Sequence, residues 1–447
     1  MNPFVHSQLP HFKALISSGA RLVVGSSGGS DSQALLHILA QLKNELGIET
    51  IIALGIDHGL RPEAGQELNL AADLASKHQI DFYRLNIQLD GKDNLLAQAR
   101  EKRYAAFQAF AQEHSATAIL VAHTATDQAE TMLMHLTRGT GLRGLGGMRP
   151  INGNILRPLL HLERGQLMEY LHDENIPYAS DPSNESLERT RTNLRHQALP
   201  LFKELNPQFE NHMWKLSQRL QADEDFLHNL ALEHLTNAKG VLNSIQARVL
   251  RDLAGPLRMR IYQLWLEEHK MHYRAENLQE LDALVEQGSG TLSISGQDIS
   301  VDRDHLWGPG QSLKEHPFSP GSQIDLAPFN IALKSLLMDK QRPDYPRDPE
   351  CLEVVFDATQ VSENLSVGPW RRGDEIVPFG ISGHMKVSDL FTNCKIPKAL
   401  RQVWPIVRAG EEILWIPGLK RANTAPITAK SVNILKMQVV GEIPWQA

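Results

Sequence analysis

Short apolar runs alternate with segments of helical periodicity between Arg21 and Leu136, and this alternation constrains the fold more than any other feature. Each run is short, and the second is rich in β-branched residues, as is typical of buried strands. In chain order they read RLVVGSS, IETIIALGID, FYRLNIQL and ATAILVAH. Strands that alternate with helices need crossover connections, so the pattern predicts an α/β fold with a mostly parallel, doubly wound sheet. Ligands of such sheets bind at the carboxyl ends of the strands.

The composition shifts after Pro150. Residues Leu159 to Leu171 have helical spacing, and so do residues Asn193 to Phe202. The polar stretch between them, Ala179 to Thr192, predicts a loop.

Two further changes of pattern divide the rest of the chain, whose 447 residues suffice for about three domains. From about Pro207 to Gln287 the apolar spacing is helical almost throughout, and after Gly288 it alternates with period two, which predicts a hairpin. Residues 339–350 (DKQRPDYPRDPE) are rich in proline and charge, which is typical of a linker. We therefore predict an α/β domain at 1–205, a mainly helical domain at 206–310, a linker region at 311–350 and a small α+β domain at 351–447.

Charge and cysteine content exclude several classes of protein. There are 45 Lys and Arg against 52 Asp and Glu, a net charge of -7, so any nucleic-acid surface must be local. Cys351 and Cys394 have no CxxC partner, which excludes a thiolate zinc site and favours a reducing compartment. The N-terminal residues lack the pattern of a signal peptide, and no apolar run approaches the ~18 residues of a membrane span. We expect a cytoplasmic protein without membrane contact.

The sequence SGGSDS directly follows the first predicted strand and opens a helix. Glycines let a backbone approach a ligand closely, and the amides and positive dipole of a helix N-terminus attract phosphate oxygens. No Lys-Ser or Lys-Thr follows the glycines and GxGxxG is absent, which excludes a Walker-type P-loop and a dinucleotide fingerprint. The alternative is a capped strand-to-helix turn without a ligand. The candidate phosphate-binding residues are Ser27, Gly28, Gly29, Ser30, Asp31 and Ser32.

This segment resembles the pyrophosphate-binding loop of the N-type ATP pyrophosphatases, the PP-loop superfamily, whose members adenylate a carbonyl oxygen and release pyrophosphate. The resemblance implies ATP and magnesium as cofactors, with Asp31 as a candidate magnesium contact.

Further motifs resemble, in the same order, those of the tRNA(Ile)-lysidine synthetases. In the first two hundred or so residues they comprise DHGLR at Asp57–Arg61, Arg100, RY at Arg103–Tyr104, His123, Asp127, Gln128, Glu130, Thr131, RGTG at Arg138–Gly141, RPLL at Arg157–Leu160, Asp181, Ser183, Asn184, Arg191, Asn193 and Arg195. Near the C-terminus the segments RRGD at Arg371–Asp374, SDLF at Ser388–Phe391 and IPK at Ile396–Lys398 are similar to the family's tRNA-contacting domain. Between Arg371 and Arg421 there are nine Lys or Arg and five Asp or Glu, a local charge of +4 that suits phosphate contact.

The resemblance implies a ligase that forms a carbon–nitrogen bond. In this family, ATP adenylates the carbonyl oxygen on carbon 2 of the wobble cytidine. The substrate is the minor isoleucine tRNA with the anticodon CAU. The side-chain amine of free L-lysine then replaces AMP and yields lysidine, which changes decoding from AUG to AUA. The expected partners are this tRNA, contacted also by the helical middle domain, and lysine; a homodimer is compatible with the sequence.

The candidate catalytic or lysine-binding residues are Asp127, Glu130, Arg191 and Arg195. Asp127 and Glu130 are three apart in a predicted helix, so both face one side, where they could bind the ammonium groups of lysine or accept a proton. Arg191 or Arg195 could stabilise charge on the triphosphate or the adenylate. The alternatives are a solvated helix face and ion pairs of the arginines with Asp181 and Glu185. The further candidate contacts to nucleotide or tRNA are Asp57, His58, Arg61, Arg100, His123, Arg138, Gly139, Arg371 and Arg372.

The sequence departs from the family pattern at three places. Thr126 stands where an aspartate usually precedes Asp127, and Thr192 stands where an asparagine usually follows Arg191. The acidic pair that usually follows Asn184 is reduced to Glu185. No cysteine precedes Cys351, so sulfur transfer is disfavoured. Two other functions remain open at this point: a non-catalytic RNA-binding protein with a degenerate nucleotide fold, and an ATP-dependent ligase or amidotransferase that acts on a small molecule.

Overall fold

The computed structural model describes residues 2–57, 64–88, 95–179, 189–302, 304–310, 313–326, 329, 331–339, 350–362 and 364–441. The chain divides into two compact units, residues 1–226 and 227–447. Within the described ranges, no helix is both long enough and apolar enough to span a bilayer.

The first unit alternates strands and helices along the chain. Its strands are β1 (Arg21–Gly25), β2 (Thr50–Asp57), β3 (Asp81–Asn86), β4 (Ala118–Leu120), β5 (Ile151–Asn152) and β6 (Ile155–Leu156). Its helices are α1 (Pro3–Leu15), α2 (Ser30–Leu46), α3 (Ala64–Lys77), α4 (Leu95–Glu113), α5 (Ala125–Arg138), α6 (Leu142–Leu145), α7 (Arg164–Asp173), α8 (Arg189–Asn193), α9 (Leu199–Leu205) and α10 (Phe209–Ala238), the last of which runs on into residues of the second unit. A π-helical turn, Leu194–Ala198, joins α8 to α9.

The six strands form one sheet in the order β3-β2-β1-β4-β6-β5, in which only the pairing of β5 with β6 is antiparallel. Side chains alternate between its faces: Leu22 and Val24 pack with α1, α2 and α7, whereas Val23 packs with Phe107 and Phe110 of α4. Helices therefore cover both faces, and the predicted parallel, doubly wound α/β sheet is confirmed.

One predicted helix boundary in this unit is wrong. The helix predicted at 159–171 begins at Arg164, because Leu159 and Leu160 lie in turns, where both are buried. The side chain of Gln166 accepts a hydrogen bond from the backbone N–H of Glu163, which caps the helix at this point. Most of the loop predicted at 179–192 lies outside the described residues, and its last described residues, from Arg189, are helical in α8.

The second unit combines helices with antiparallel sheets. Its helices are α11 (Ala247–Arg251), α12 (Gly255–Glu268), α13 (Ala275–Gln287), α14 (Val387–Asn393) and α15 (Lys398–Arg401), with a 3₁₀ turn at Val241–Asn243. Its strands are β7 (Ile245–Gln246), β8 (Ser289–Ile294), β9 (Gln297–Asp302), β10 (His305–Trp307), β11 (His316–Phe318), β12 (Gln323–Leu326), β13 (Ile331–Asp339), β14 (Glu353–Asp357), β15 (Leu365–Gly368), β16 (Glu375–Ile376), β17 (Met385–Lys386), β18 (Ile406–Ala409), β19 (Glu412–Ile416), β20 (Lys420–Arg421) and β21 (Asn433–Val440).

Two hydrophobic clusters organise this unit. One joins α10–α13 to the sheet β7-β10-β9-β8 around Tyr262 and Trp265, and contains the hairpin β8–β9 that the sequence predicts after Gly288. The other lies among the sheets β11-β15-β18-β19-β20 and β12-β13-β21-β14, around Trp404 and Trp415. A helical middle region followed by an α+β region is therefore confirmed as the fold.

The prediction of a linker at 311–350 is wrong for its described residues. They include β11, β12 and β13, and Phe318, Leu326 and Leu333 belong to the buried cluster around Trp404. Strand β13 pairs with β21 over eight residues, from Ala332 with Val440 to Asp339 with Asn433. Proline and charge at 340–349, which suggested the linker, fall outside the described residues.

Candidate nucleotide-binding site

The turn from β1 to α2 can be formed only with glycine at position 28. Gly28 has φ +84°, in the left-handed region, and a Cβ atom there would lie 2.0 Å from the carbonyl oxygen of Glu67 in α3. The Gly28 carbonyl in turn accepts a hydrogen bond of 2.9 Å from the backbone N–H of Ala179. The turn is thus held between two segments that follow other strands of the sheet.

Hydroxyl groups organise the same turn above the N-terminus of α2. The Ser32 hydroxyl accepts from the backbone N–H of Ser27 at 3.2 Å and donates to the carbonyl oxygen of Gly29 at 3.0 Å. Among the described residues no side chain caps α2, whose N-cap is Gly29. Its first-turn amides, with the positive end of the helix dipole, are therefore suited to an anion.

A cavity of about 240 Å3 opens beside this turn at the carboxyl ends of β1, β2 and β4. One part of its wall is apolar, and the other carries hydroxyl, carboxylate, imidazole and guanidinium groups, the composition expected for a nucleotide site. Its described lining residues are Gly25, Ser26, Ser27, Asp31, Ser32, Leu54, Ile56, Arg103, Tyr104, Phe107, Val121, Ala122, His123, Asp127 and Arg164.

Asp127 is fixed at the floor of the cavity by the start of α5. Its Oδ2 accepts from the backbone N–H and the hydroxyl of Thr124, at 3.0 and 2.9 Å. Its Oδ1 lies 3.3 Å from Arg191 Nη2 and 3.6 Å from Arg195 Nη2. Although burial opposes ionisation, His123, Arg164 and Arg191 hold the pKa of Asp127 at about 2.

Glu130 lies one turn further along α5 and is fully buried. Its carboxylate accepts from Arg191 Nε at 2.7 Å and from Arg195 Nε at 2.6 Å. These arginines occupy α8 and the π-helical turn, a type of irregularity that is frequent at functional sites. The structure therefore brings the four predicted residues together, with Asp127 on the cavity and Glu130 behind it. The arginines pair with these carboxylates; Asp181 and Glu185, the predicted alternative partners, lie outside the described residues.

Asp31 is bound by a residue that the sequence analysis did not select. Arg164 donates to Asp31 Oδ2 from Nη2 at 2.7 Å and from Nε at 3.1 Å. The two side chains are 28% and 15% exposed, so both remain accessible from the cavity. Burial raises the pKa of Asp31, and the charge of Arg164 opposes this shift.

Two polar atoms in the cavity wall have no hydrogen-bond partner among the described residues: His123 Nδ1 and the hydroxyl of Tyr104. Both are buried, and unsatisfied buried polar atoms at a cavity point to a ligand. Burial lowers the pKa of His123 to about 4, so its ring is neutral at pH 7. Burial likewise lowers the pKa of Arg103.

The sequence of this chain is similar to two known protein families and to several curated relatives. Residues 2–202 match the family described as PP-loop domain, and residues 365–435 match the TilS substrate C-terminal domain. The tRNA(Ile)-lysidine synthase of Bacillus cereus is 31% identical over 92% of this chain and 91% of its own length, and that of Bacillus subtilis is 30% identical over 91% of both. The chain belongs to the tRNA(Ile)-lysidine synthase family. The synthase of Persephonella marina is 27% identical over 94% of this chain and 96% of its own length.

Not every residue carried over from the lysidine synthases reaches the cavity. Arg100 is exposed, with its guanidinium 5.6 Å from the Tyr104 ring centre, and it is Arg103 that lines the wall. Arg138 and Gly139 are exposed at the far end of α5. Asp57 ends β2 outside the lining, while His58 and Arg61 lie outside the described residues.

The basic surface predicted near the C-terminus has fewer accessible cations than the nine Lys and Arg between Arg371 and Arg421. Arg408 is fully buried against Asp374, and Arg421 lies between the rings of Phe356 and Phe379, 4.4 Å from each centre. Arg371 pairs with two glutamates, Glu315 at 2.6 Å and Glu411 at 3.1 Å. Arg372 is exposed. Several of the nine cations therefore have structural partners.

The two lining arginines that sequence reasoning missed, Arg103 and Arg164, were hidden for different reasons. Arg103 stands next to Tyr104 in a motif whose resemblance to the family implies no particular role. Arg164 fell inside a helix predicted to begin five residues too early. Gln166, three residues after Glu163, is the capping-box partner that could have placed the helix start at Arg164, although Glu163 replaces the usual Ser or Thr.

Proposed function

We propose that this chain joins the side-chain amine of free L-lysine to carbon 2 of the wobble cytidine of an isoleucine tRNA with a CAU anticodon. ATP first adenylates the carbonyl oxygen on that carbon and pyrophosphate leaves. The amine then forms the carbon–nitrogen bond, and AMP departs with the oxygen. The observation that carries the proposal is the similarity to lysidine synthases over more than nine-tenths of the chain. The proposed place of action is the cytoplasm, where tRNA, ATP and free lysine occur together.

ATP binds with its phosphates on the turn Ser27–Ser32 and its adenosine against the apolar wall. The turn offers serine hydroxyls and the amides that open α2, which are donors for phosphate oxygens. Leu54, Ile56 and Phe107 provide the apolar surface for the base. Fixed donors beside the phosphates stabilise the charge that develops on the leaving pyrophosphate.

The donor set is compatible with magnesium held jointly by protein and phosphates. Magnesium favours oxygen ligands and is usually bound by one or two carboxylates together with substrate phosphates. Asp31 supplies such a carboxylate at the cavity edge, and the described residues contain no cluster of three or more His, Cys, Asp or Glu side chains suited to a metal ion. Asp31 would hold the ion, and bound magnesium would supply positive charge at the phosphates.

Asp127 binds the cationic lysine rather than accepting its proton. A carboxylate with a pKa of about 2 remains ionised at neutral pH and is a weak base. It is therefore suited to attract an ammonium group by charge. His123 is neutral and its Nδ1 has no partner among the described residues. It can therefore form a hydrogen bond with the lysine amine or with the cytosine base of the tRNA.

Glu130 positions the arginines and does not contact lysine, because its side chain has no exposed surface. It holds the Nε atoms of Arg191 and Arg195, so that an Nη2 atom of each faces Asp127 at the cavity floor. From there the arginines can stabilise negative charge on the adenylated intermediate.

The rest of the chain binds the tRNA. We assign this role to the helical region 206–310 and to the α+β region 351–447, which includes the match to the TilS substrate C-terminal domain. Arg372, which is exposed, is the first contact proposed there, since phosphate binding needs accessible cations. Arg371 is proposed beside it and would exchange its pairs with Glu315 and Glu411 for phosphate. The catalytic region is 1–205.

Incorporation of labelled lysine into tRNA tests the proposal. Transcripts of the CAU isoleucine tRNA and of a methionine tRNA with the same anticodon are incubated with lysine, with or without ATP. We expect incorporation only with ATP and the isoleucine tRNA, its loss in Asp31→Ala, and its retention in Asp173→Ala, an exposed aspartate of α7. ATP cleavage without tRNA would instead indicate a small-molecule ligase, and tRNA binding without ATP turnover a non-catalytic protein.

A further inference from the structure

Arg164 has a fixed backbone and a side chain that extends into the nucleotide cavity. Its backbone N–H donates to Thr126 Oγ1 at 3.3 Å, at the capped start of α7. The Thr126 hydroxyl donates to Glu210 at 2.9 Å, and Lys203 links Glu210 to Glu163. The guanidinium is the part left to move, since its partners are side chains on the cavity.

In the structure the Arg164 guanidinium is paired with the carboxylate of Asp31, at the end of the nucleotide turn. Its Nε and Nη2 both donate to Asp31, and Nη2 lies 3.9 Å from Asp127 Oδ1. The guanidinium therefore places a positive charge against both oxygens of Asp31, and this charge repels a second cation. For Asp31 to hold a cation beside ATP, Arg164 must first release it.

A triphosphate offers Arg164 a replacement for that carboxylate. The planar fork of arginine binds phosphate with the same two-donor geometry that it uses for carboxylate. Arg164 lines the same cavity as Ser27 and Ser32, the hydroxyls of the phosphate turn. A phosphate oxygen within reach of those hydroxyls is therefore also within reach of the Arg164 side chain after a rotation about its own bonds.

We propose that Arg164 is a phosphate-binding residue of the adenylation step that works by exchange: it pairs with Asp31 in the free enzyme and transfers to the phosphates of ATP, leaving Asp31 to bind a cation. Burial works against its charge, yet Asp31 and Asp127 keep the pKa of Arg164 above its usual value in the paired state. On phosphate it stays charged because an arginine guanidinium is not deprotonated in proteins. The inference rests on the ATP-dependent reaction proposed above, but it is independent of the acceptor.

A double-mutant cycle on ATP binding tests the exchange directly. Binding of labelled ATP is measured by equilibrium dialysis, without tRNA or lysine and with a chelator, in wild type, Asp31→Asn, Arg164→Gln and the double variant. Removing the carboxylate frees Arg164 for phosphate, so Asp31→Asn should tighten metal-free ATP binding. The tightening should be about tenfold larger with Arg164 present than in the Arg164→Gln background. Equal tightening in both backgrounds would overturn the proposal, because only the general loss of negative charge would then act.

Pyrophosphate and adenosine separate phosphate binding from a purely structural role. Arg164→Lys should weaken competition by pyrophosphate about tenfold and leave adenosine binding within about twofold of wild type. If Arg164 only maintained the shape of the cavity, the substitution would weaken binding of pyrophosphate and of adenosine by similar factors, which would contradict the proposal. Arg149→Lys is the matched control, since Arg149 makes a bidentate pair with Asp225 away from the lining residues.

These readouts distinguish failure of this proposal from failure of the proposed function. ATP, pyrophosphate and adenosine are measured without either co-substrate, so a wrong acceptor would leave the result unchanged. Thermal unfolding of each variant establishes that it is folded. Should Arg164→Gln fail to fold, the cycle is completed with Arg164→Lys, whose single ammonium cannot reproduce the two-donor contact and should lower the excess tightening.

Discussion

Individual residues of the phosphate turn and of the buried ion cluster set the local geometry of the site. Gly28 allows α3 to approach the turn, Ser32 links Ser27 to Gly29, and Glu130 holds two arginines from behind. Each acts on a ligand through the position of its neighbours. Substitutions at this scale should therefore change ligand binding through the local geometry, together with the stability of the unit.

Replacing Gly28 by alanine should abolish tight ATP binding. A left-handed φ costs an L-residue about 1–2 kcal/mol, and the new Cβ would collide with the Glu67 carbonyl, so the turn must shift. We expect at least a tenfold loss of ATP affinity, measured by equilibrium dialysis, with a lower unfolding temperature. Gly65→Ala in α3, where nothing lies within 4 Å of the new methyl, is the control and should bind ATP normally.

Glu130→Gln should lower stability and activity together. Loss of the buried charge removes the carboxylate that holds the Nε atoms of Arg191 and Arg195, which typically costs about 3–5 kcal/mol of unfolding free energy. Urea unfolding and lysine incorporation measure the two effects. Asp282→Asn breaks the Arg258 pair in the second unit and should cost stability while ATP binding persists. Unchanged activity in Glu130→Gln would contradict the positioning role.

Which residues could be found from sequence depended on how local their signal is. Ser27–Ser32, Asp127 and the spacing of Asp127 with Glu130 were predicted because strand, turn and helix follow one another in the chain. The pairing of Glu130 with Arg191 and Arg195 joins positions more than sixty apart, for which sequence spacing carries no information.

At the scale of elements, α5, α7, α9 and α10 meet around Thr126. Thr126 and Glu210 contact across α5 and α10, Lys203 of α9 reaches Glu210, and Arg164 donates to Thr126 from α7. Glu210 thus brings a carboxylate beside the position where the family usually has an aspartate. Burial raises the pKa of Glu210, while Thr126 and Lys203 oppose that shift.

Thr126→Asp should destabilise the first unit unless Glu210 is also changed. The new carboxylate would stand at hydrogen-bond distance from Glu210 Oε2, where like charges repel. The double variant Thr126→Asp with Glu210→Gln should recover stability, giving a coupling free energy of about 1 kcal/mol or more in urea unfolding. Additive single effects would contradict this pairing.

Two histidines, His37 and His161, should make the first unit less stable in mild acid. Burial lowers the pKa values of His37 and His161 to about 4, below the ordinary value of 6.5. The unfolded chain then binds more protons below pH 6.5, so stability should fall as the pH falls from 6.5 towards 4. The loss of urea stability between pH 7.5 and 5 should be smaller in His161→Gln and unchanged in His172→Gln, whose side chain is exposed. An equal loss in His161→Gln and wild type would contradict this assignment.

Elements with strong periodicity were predicted well, and those defined by distant pairing were not. The first three strands and α2 appear where the sequence pattern predicts them, whereas the start of α7 was misplaced because Leu159 and Leu160 are buried in turns. Strands β11–β13 were read as a linker because short strands receive their stability from partners such as β21 far along the chain.

For the whole molecule, a net charge of -7 means that tRNA must be attracted by local cations. Arg372→Glu should weaken tRNA binding and lower the slope of log affinity against log salt by about 1, without affecting ATP binding. Filter binding over a range of salt concentrations measures the slope. Lys13→Glu, an exposed lysine of α1, is the control, and an equal effect of both changes would indicate only the change in net charge.

Mass spectrometry of the anticodon fragment tests the central claim, lysidine formation, most directly. The CAU isoleucine tRNA is incubated with the full chain, ATP and lysine and is then digested. The mass of its wobble nucleoside is measured. We predict a nucleoside heavier than cytidine by one lysine less one water, formed only with ATP and with one pyrophosphate released for each lysine added. An unmodified wobble cytidine under conditions in which ATP is cleaved, or lysine attached elsewhere in the tRNA, would contradict it.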